Sequence, residues 1–275
     1  MSPPSIVVVT GANRGIGLAI AQQIAAAHSH PNLRLYAASR AGSDLGIQPA
    51  HKGAQVLYPS LDISSKASID ALAKSIKDEH GRVDVLINNA GINVDAKYSP
   101  ANAKLTLDVN YRGTLQMCET FLPLMPAHSR ITNLSSVGSS LEHYSPAIAA
   151  RFRDPNMTLA DLAQLADEYQ HAVTTHTEVP TGWGGTGRSY SVSKACVNAL
   201  SAILARQPSD VLVNACCPGW VSTDMGRLVG RAPKRVEDGA RIPLRLAFDD
   251  IGNVSGRYWA NASIRSKELG RVMEW

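Results

Sequence analysis

Two residues on one predicted helix have the types and the spacing for acid–base chemistry. Tyr190 precedes Lys194 by four positions, and side chains four apart are neighbours on one helix face. An unperturbed tyrosine titrates near about 10, and a neighbouring ammonium favours the phenolate and lowers that pKa. The spacing therefore predicts a proton donor, Tyr190, whose pKa is lowered by Lys194. An exposed helix face without a catalytic role could have the same spacing, so other motifs of the chain are needed to distinguish the two interpretations.

A glycine-rich segment near the start of the chain has the order typical of a nucleotide-binding loop. The apolar run 6–9 leads directly into Thr-Gly-Ala-Asn-Arg-Gly-Ile-Gly at Thr10–Gly17, and a helical pattern follows from Leu18 to Ala27. Glycines after a buried strand let the backbone approach a phosphate, and the helix N-terminus would face a pyrophosphate. A turn without a ligand is the alternative, but the order of strand, glycine loop and helix favours a nucleotide.

The composition is that of one compact domain. The chain has 275 residues, 44% of them hydrophobic and 18% charged, which is enough for a single large core over residues 1–275, although the length would also allow two domains. The net charge is +4 and the basic residues are scattered, so we expect no nucleic-acid partner. We find no signal segment and no membrane span, and we expect a cytoplasmic protein without a membrane partner.

The four cysteines are expected to be reduced thiols. Cys118, Cys196, Cys216 and Cys217 show no C-x-x-C spacing, so no metal site is expected. The last two are adjacent and poorly placed to bridge each other. They follow an apolar run, which favours packing in the core, and reactivity of one of them is the less favoured alternative.

Strand-like apolar runs alternate with helical patterns along the chain. This alternation predicts an α/β fold, a doubly wound parallel sheet with helices on both faces. The further strands are predicted at Leu33–Ala38, Gln55–Leu61, Val83–Ile87, Ile131–Leu134 and Val211–Cys216, and the further helices at Ser65–Glu79, Ala103–Phe121, Tyr190–Arg206 and Val236–Phe248.

The ordered motifs resemble the short-chain dehydrogenase/reductase family over nearly the whole chain. The matching motifs are T-G-x-x-x-G-x-G at Thr10–Gly17, Asp62, Asn88-Asn89-Ala90-Gly91, Asn110, Ser136, Tyr190 with Lys194, and Pro218-Gly219 followed by Thr223. The resemblance implies a Rossmann fold and an NAD(P)-dependent oxidoreductase.

A catalytic set of Asn110, Ser136, Tyr190 and Lys194 is implied by the same resemblance. Ser136, the second serine of its pair with Ser135, matches the serine that bonds the substrate carbonyl. Tyr190 would donate a proton to the carbonyl oxygen, and Lys194 would lower the tyrosine pKa and bond the nicotinamide ribose. Asn110 matches an asparagine that holds a water in a proton relay to Lys194. The alternative is an asparagine that bonds backbone inside a helix.

The resemblance also implies a set of cofactor contacts. They are Gly11, Asn13, Arg14, Gly15, Ile16, Gly17, Arg40, Asp62, Ile63, Asn89, Ala90, Gly91, Tyr190, Lys194, Pro218, Gly219, Val221 and Thr223. Asp62 would bond the adenine amino group, with an Asx turn or a helix cap as the alternative. The Asn88–Gly91 segment would lie at the carboxyl end of a strand, where open sheets bind ligands, with an ordinary Asn-Gly turn as the alternative.

Arg40 favours NADP over NAD as the cofactor. It follows the second predicted strand, about where a dinucleotide fold places the residue that contacts the adenosine ribose. An acidic residue there would bind the 2′-hydroxyl of NAD, whereas an arginine accommodates the 2′-phosphate of NADP. Arg14 in the glycine loop could add a second positive charge. Either arginine alone could be a solvated surface residue.

An insertion precedes the active-site tyrosine. Ser136 and Tyr190 lie 54 positions apart, and the inserted segment covers about 140–187. Thr158 and Asp161 form a variant of the capping box. The apolar stripe that follows at helical spacing, Leu159, Leu162, Leu165, Ala166 and Tyr169, is expected to pack on the domain.

This insertion narrows the resemblance to the monomeric NADPH carbonyl reductases, which implies a monomer. The expected activity is reduction of the carbonyl of ketones, aldehydes or quinones by NADPH. Trp220 and Trp183 are candidate apolar walls of the substrate pocket, because an indole face suits aromatic carbonyls; a core position is the alternative for Trp220. A dedicated biosynthetic ketone or imine reductase is the second hypothesis. A non-catalytic NADP-binding regulatory protein is the third.

Overall fold

A single eight-stranded sheet forms the centre of the computed structural model, which describes residues 5–275. The strands are β1 (Ser5–Thr10), β2 (Leu33–Ala38), β3 (Gln55–Leu57), β4 (Val85–Asn88), β5 (Arg130–Leu134), β6 (Leu212–Cys216), β7 (Tyr258–Ala260) and β8 (Arg271–Met273). Their order is β3-β2-β1-β4-β5-β6-β7-β8. All neighbours pair in parallel except β7 and β8, which are antiparallel. The predicted doubly wound sheet is confirmed.

Helices cover both faces of this sheet. They are α1 (Gly15–Ala27), α2 (Lys66–His80), α3 (Pro100–Leu107), α4 (Thr114–Phe121), α5 (Pro146–Phe152), α6 (Leu159–Thr175), α7 (Ser189–Ala205), α8 (Asp224–Arg227) and α9 (Val236–Phe248). Helices α1 and α9 pack together on one face, and α2, α4 and α7 contribute to the core on the other. Each face of the sheet is apolar, as expected for parallel strands that helices bury on both sides.

The third strand is shorter than predicted. The sequence predicts a strand through Leu61, but β3 ends at Leu57. Beyond it the chain keeps only local contacts with the end of β2, where Ser39 bonds the carbonyl of Pro59 at 3.2 Å and the amide of Leu61 at 2.9 Å. Because Pro59 has no N–H, it cannot donate to a regular ladder.

The helix predicted at Ala103–Phe121 contains a widened turn. Its first part, α3, starts at Pro100 after Ser99, whose hydroxyl accepts a hydrogen bond from the amide of Asn102 at 3.1 Å. The backbone is π-helical over Asp108–Gly113 and becomes α-helical again in α4. Such turns insert an extra residue and are frequent at functional sites.

The segment between β5 and α7 folds as two helices, α5 and α6. The Thr158 hydroxyl accepts from the amide of Asp161 at 3.2 Å, and the Asp161 carboxylate accepts from the amide of Thr158 at 2.9 Å. This is the capping box expected at this helix start. The stripe side chains Leu162, Leu165, Ala166 and Tyr169 are fully buried, and α6 packs against α3 and α7.

Free thiols account for all four cysteines, and each of them is buried. Burial raises the pKa of Cys216 and Cys217, which disfavours the reactive thiolate. Within residues 5–275, no helix combines the length and apolar character needed to cross a bilayer. Across the same residues, no group of three His, Cys, Asp or Glu side chains is arranged to hold a metal ion.

Candidate active site

A cleft of about 420 Å³ lies at the carboxyl ends of the central strands. The strand order reverses direction between β1 and β4, and ligands of open α/β sheets bind at such a switch point. The predicted site residues that line the cleft are Gly11, Asn13, Arg14, Gly15, Ile16, Arg40, Asp62, Ile63, Asn89, Ala90, Gly91, Tyr190, Lys194, Pro218 and Thr223. The lining excludes Gly17, Asn110, Ser136, Gly219, Val221, Trp183 and Trp220.

The glycine loop packs tightly on the segment that follows β4. Gly11 and Gly15 have positive φ angles of 65° and 57°, which glycine adopts without strain. The Asn89 side chain donates hydrogen bonds to the carbonyls of Thr10 and Gly11 at 2.9 and 3.1 Å. A Cβ on Gly17 would lie only 2.3 Å from the carbonyl oxygen of Gly11. Gly17 is therefore required for packing, although it does not line the cleft.

The start of α1 fits an anionic group. Arg14 is the N-cap residue, its side chain forms no cap bond, and the first turn contains no acidic residue. The first amides of a helix have no partner within the helix and carry a partial positive charge. Because this terminus lines the cleft, its chemistry suits the pyrophosphate of a dinucleotide.

Two arginines line the cleft, and they differ in their partners. Arg40 is exposed and forms no ion pair within residues 5–275, so its guanidinium can receive a phosphate. Arg14 pairs with the Asp224 carboxylate at 2.8 Å, so part of its charge is already balanced. This difference makes Arg40 the stronger candidate contact for a 2′-phosphate, and both residues fit NADP.

Asp62 holds its carboxylate in an Asx turn at the edge of the cleft. One carboxylate oxygen accepts hydrogen bonds from the Ser64 hydroxyl at 2.7 Å and from the Ser64 amide at 2.9 Å. The bond from the Ser64 hydroxyl, then the bond from its amide, lowers the pKa of Asp62. The Asx turn given as the alternative is therefore present, Asp62 also lines the cleft, and its bond to the adenine amino group stays a prediction.

The catalytic end of the cleft contains the Tyr190–Lys194 pair on α7. Lys194 is 5% exposed, and its ammonium donates to the carbonyl of Leu134 at 2.7 Å. Burial lowers the pKa of Lys194 to about 8. The Tyr190 ring centroid is 5.7 Å from the Lys194 nitrogen.

The pKa of Tyr190 differs from the expectation. Burial raises this pKa to about 12, against a smaller lowering by a hydrogen bond with Ser136. Lys194 was predicted to lower it, but its ammonium is bonded to the Leu134 carbonyl and not to the phenol. In this structure burial therefore controls the pKa of Tyr190.

Ser136, and not Ser135, contacts the tyrosine. The Ser136 hydroxyl accepts a hydrogen bond from the amide of Gly138 at 3.1 Å and bonds the Tyr190 side chain. Ser135 is buried, and its hydroxyl donates to the carbonyl of Lys194 at 3.2 Å. The second serine of the pair is thus the one next to the phenol.

Asn110 lies inside the widened turn of the α3–α4 helix. Its amide group bonds both the amide and the carbonyl of Ile92 at 2.8 Å and donates to the Ser193 hydroxyl at 2.9 Å. A Cβ on Gly91 would lie 3.2 Å from the Asn110 oxygen and 3.5 Å from the Lys194 nitrogen. Backbone bonding, the alternative stated for Asn110, is therefore present, and the residue also lies beside Lys194.

Lys234 is a functional candidate that the sequence did not indicate. It is 1% exposed, its ammonium donates to the carbonyl of Pro218 at 2.8 Å, and its backbone bonds Trp220 and Ser222 on either side of Val221. Gly219 permits this close approach, because a Cβ at that position would lie only 2.8 Å from the Lys234 nitrogen. Lys234 lies in a basic segment, and nothing in the sequence there indicates that its side chain is buried.

Neither predicted tryptophan wall lies on the cleft. Trp183 is 1% exposed and packs edge-on against Tyr144 and Tyr169, with ring centroids 6.1 and 5.1 Å away. Trp220 donates its indole N–H to the carbonyl of Gly226 at 2.9 Å and so supports the loop after Thr223. After Thr223, Asp224 and Met225 line the cleft. The structure thus gives both indoles packing contacts, and their contact with a substrate stays a prediction.

Comparisons with known proteins agree with this architecture. Residues 5–149 match the family model for short chain dehydrogenases. The chain is 35% identical over 254 residues to carbonyl reductase (NADPH) 3 of Rattus norvegicus, covering 88% of this chain and 90% of the relative. It is 35% identical over 255 residues to carbonyl reductase (NADPH) 1 of Bos taurus, with the same two coverages. The solved structure of salutaridine reductase from Papaver somniferum matches with a TM-score of 0.79 at 26% identity, covering 92% of this chain and 99% of that one.

Proposed function

Because the chain belongs to the short-chain dehydrogenase family, we propose that it is an NADPH-dependent reductase of the carbonyl group of ketones, aldehydes or quinones. The likeness to carbonyl reductases over most of the chain supports this activity. One observation carries the proposal. One cleft is lined by Arg40, which forms no ion pair within residues 5–275, and by Tyr190 and the buried Lys194, with Ser136 next to the tyrosine.

Several groups of the cleft suit the cofactor. The uncapped start of α1 would bind the pyrophosphate, Asp62 the adenine amino group, and Arg40 the 2′-phosphate that distinguishes NADPH from NADH. Gly91 leaves space beside Lys194, so the lysine ammonium can reach a ribose hydroxyl. When bound, NADPH supplies the hydride.

Proton supply is the task of the side chains around Tyr190. The Tyr190 phenol is protonated at neutral pH, as an ordinary tyrosine is, and gives its proton to the carbonyl oxygen as a general acid. The Ser136 hydroxyl bonds the same oxygen and orients it. Lys194 and Asn110 take part in returning a proton to the tyrosine.

We also propose that the protein acts as a cytoplasmic monomer. Helix α6 packs on α7, which contains Tyr190 and Lys194, and on α3, which precedes Asn110, and so covers part of the surface of both helices. Light scattering coupled to size exclusion tests this, because a monomer gives a mass near the 29.4 kDa of the chain. A dimer mass would contradict the proposal.

The experiment for the activity is to follow oxidation of NADPH, with NADH in parallel, against quinones, aromatic ketones, aldehydes and cyclic imines. Turnover of several carbonyl compounds with a preference for NADPH supports the proposal. Turnover of a cyclic imine alone supports a dedicated biosynthetic reductase instead. NADPH binding without turnover of any compound in the panel contradicts the proposal and favours a regulatory protein.

A further inference from the structure

The catalytic helix α7 begins without a cap of its own. Its N-cap residue is Arg188, with φ −112° and ψ 17°, and the Arg188 side chain makes no cap bond. The missing acceptor comes from a distant part of the chain. The Asp95 carboxylate accepts a hydrogen bond from the amide of Tyr190 at 2.9 Å, and burial raises the pKa of this carboxylate against a smaller lowering by the neighbouring Ser189. Asp95 thus performs the task of an N-cap side chain from outside the helix.

The segment that contains Asp95 is fixed to the cofactor cleft. Asp95 follows the Asn88–Gly91 segment, and its amide donates to the Asn93 side chain at 3.1 Å. Earlier in this segment Ile92 is held by two hydrogen bonds to the Asn110 side chain. The carboxylate is therefore anchored to the same structure that lines the cleft beside Lys194.

The inserted helix α6 joins the same group of hydrogen bonds. The hydroxyl of Tyr169 lies 3.1 Å from the Ser189 hydroxyl, and both residues are buried. Ser189 directly precedes Tyr190, whose amide bonds Asp95, so contacts run from α6 through the first two residues of α7 to the segment after β4. Arg188 is the neighbouring cation that partly balances the Asp95 charge.

We propose that Asp95 is a positioning residue for the proposed reduction, which holds the start of α7 so that the Tyr190 phenol meets the carbonyl oxygen. The carboxylate binds the main chain of the catalytic residue itself, so its loss moves or loosens Tyr190 more than any other part of the cleft. It also lies at a helix N-terminus, where negative charge is favourable. The insert contributes through Tyr169, whose hydroxyl lies next to that of Ser189.

The test compares Asp95→Ala and Asp95→Asn with a matched control, Asp161→Ala, which removes half of the capping box of α6 away from the cleft. For each variant we would measure kcat, KM, NADPH affinity by fluorescence titration and the melting temperature. We expect Asp95→Ala to lower kcat by roughly 10- to 100-fold, the range for a displaced catalytic group, with NADPH affinity changed less than about threefold. Asp95→Asn keeps an acceptor and should recover most of kcat.

Two results would overturn the proposal. One is a kcat of folded Asp95→Ala equal to that of the wild type, and the other is a loss of kcat that Asp161→Ala matches. If Asp95→Ala does not fold, Asp95→Leu replaces it, because leucine keeps the branched shape and removes both acceptor oxygens, and an unchanged kcat of that variant rejects the proposal. If the wild type reduces no carbonyl compound, the proposed function fails separately. Amide hydrogen exchange at Tyr190 then still tests the cap, because exchange no faster in Asp95→Ala than in the wild type rejects it.

Discussion

The ammonium of Lys194 donates a 2.7 Å hydrogen bond to the main-chain carbonyl of Leu134, the last residue of β5. The acceptor of this bond is neutral, and within residues 5–275 no carboxylate forms an ion pair with Lys194. A buried ammonium without an ion partner loses part of its hydration. Burial accordingly lowers the pKa of Lys194 to about 8, and the stability of the protein should depend on pH through this residue.

We predict that the wild type gains stability relative to Lys194→Met as the pH rises from 7 to 9.5. The pKa of a lysine in the unfolded chain is about 10.4, whereas that of Lys194 in the folded protein is about 8. Between these two pH values the unfolded chain therefore binds more protons than the folded protein. Stability rises with pH in this window, by roughly 2 kcal/mol up to pH 9.5. Urea unfolding of both proteins without cofactor measures the change. Lys74→Met, at an exposed lysine, is the control, and an equal pH response of all three proteins would contradict the prediction.

Removal of the Tyr190 hydroxyl should abolish catalysis and spare cofactor binding. Tyr190→Phe keeps the ring but loses the proton that the carbonyl oxygen needs, and general acids contribute about 10²- to 10⁴-fold. We expect kcat to fall within that range and the NADPH affinity to stay within about threefold. Tyr58→Phe serves as control, because its hydroxyl bonds Ile47. Turnover by Tyr190→Phe at the wild-type rate would reject the proposed role.

Arg40 should discriminate between the two dinucleotides more strongly than Arg14. A hydrogen bond to a charged group contributes about 1.5–3 kcal/mol, so Arg40→Ala should weaken NADPH binding by roughly 10- to 100-fold and leave NADH nearly unaffected. Arg14→Ala should have a smaller effect, because Asp224 already binds that guanidinium. Fluorescence titrations with both cofactors measure this, with Arg271→Ala on the distant strand β8 as control. Equal losses for NADPH and NADH would show that Arg40 does not contact the phosphate.

Trp183 should matter for stability and not for substrate choice. Its indole fills the space between Tyr144 and Tyr169, so Trp183→Phe leaves a cavity and should cost about 1–2 kcal/mol of unfolding free energy. Denaturant titration measures this loss, and KM values for several carbonyl compounds should stay within about twofold. A shift in the order of substrate preference without a loss of stability would instead support the predicted contact between Trp183 and the substrate.

The sequence predicts best those features whose signal is local. The bounds of β2 and α9 agree with the predicted Leu33–Ala38 and Val236–Phe248, because each has a clear apolar pattern and, in α9, acidic residues in the first turn. The cleft residues follow strand ends, which the topology brings together.

Contacts between distant segments could not be predicted in the same way. Asp95 and Lys234 lie in polar stretches that would look the same on an exposed surface, and only the packing of remote segments buries Lys234 and brings Asp95 to α7. The three-residue strands β7 and β8 are too short for a periodic pattern. The position of Trp183 in the sequence favoured a place in the substrate pocket, but its role depends on the residues that it packs against in the folded protein.

The π-helical turn at Asp108–Gly113 places a constraint on chain length as well as on side chains. A π-helical turn holds one residue more than an α-helical turn, so deleting a single residue from it would restore a regular α-helix and leave α3 and α4 nearly in phase. Asn110 reaches Ile92 and Ser193 from the widened turn, so loss of the extra residue should move its side chain away from both. A deletion of Val109 or Tyr111 should therefore impair the site although the helix itself persists, and this requirement concerns the number of residues in the turn.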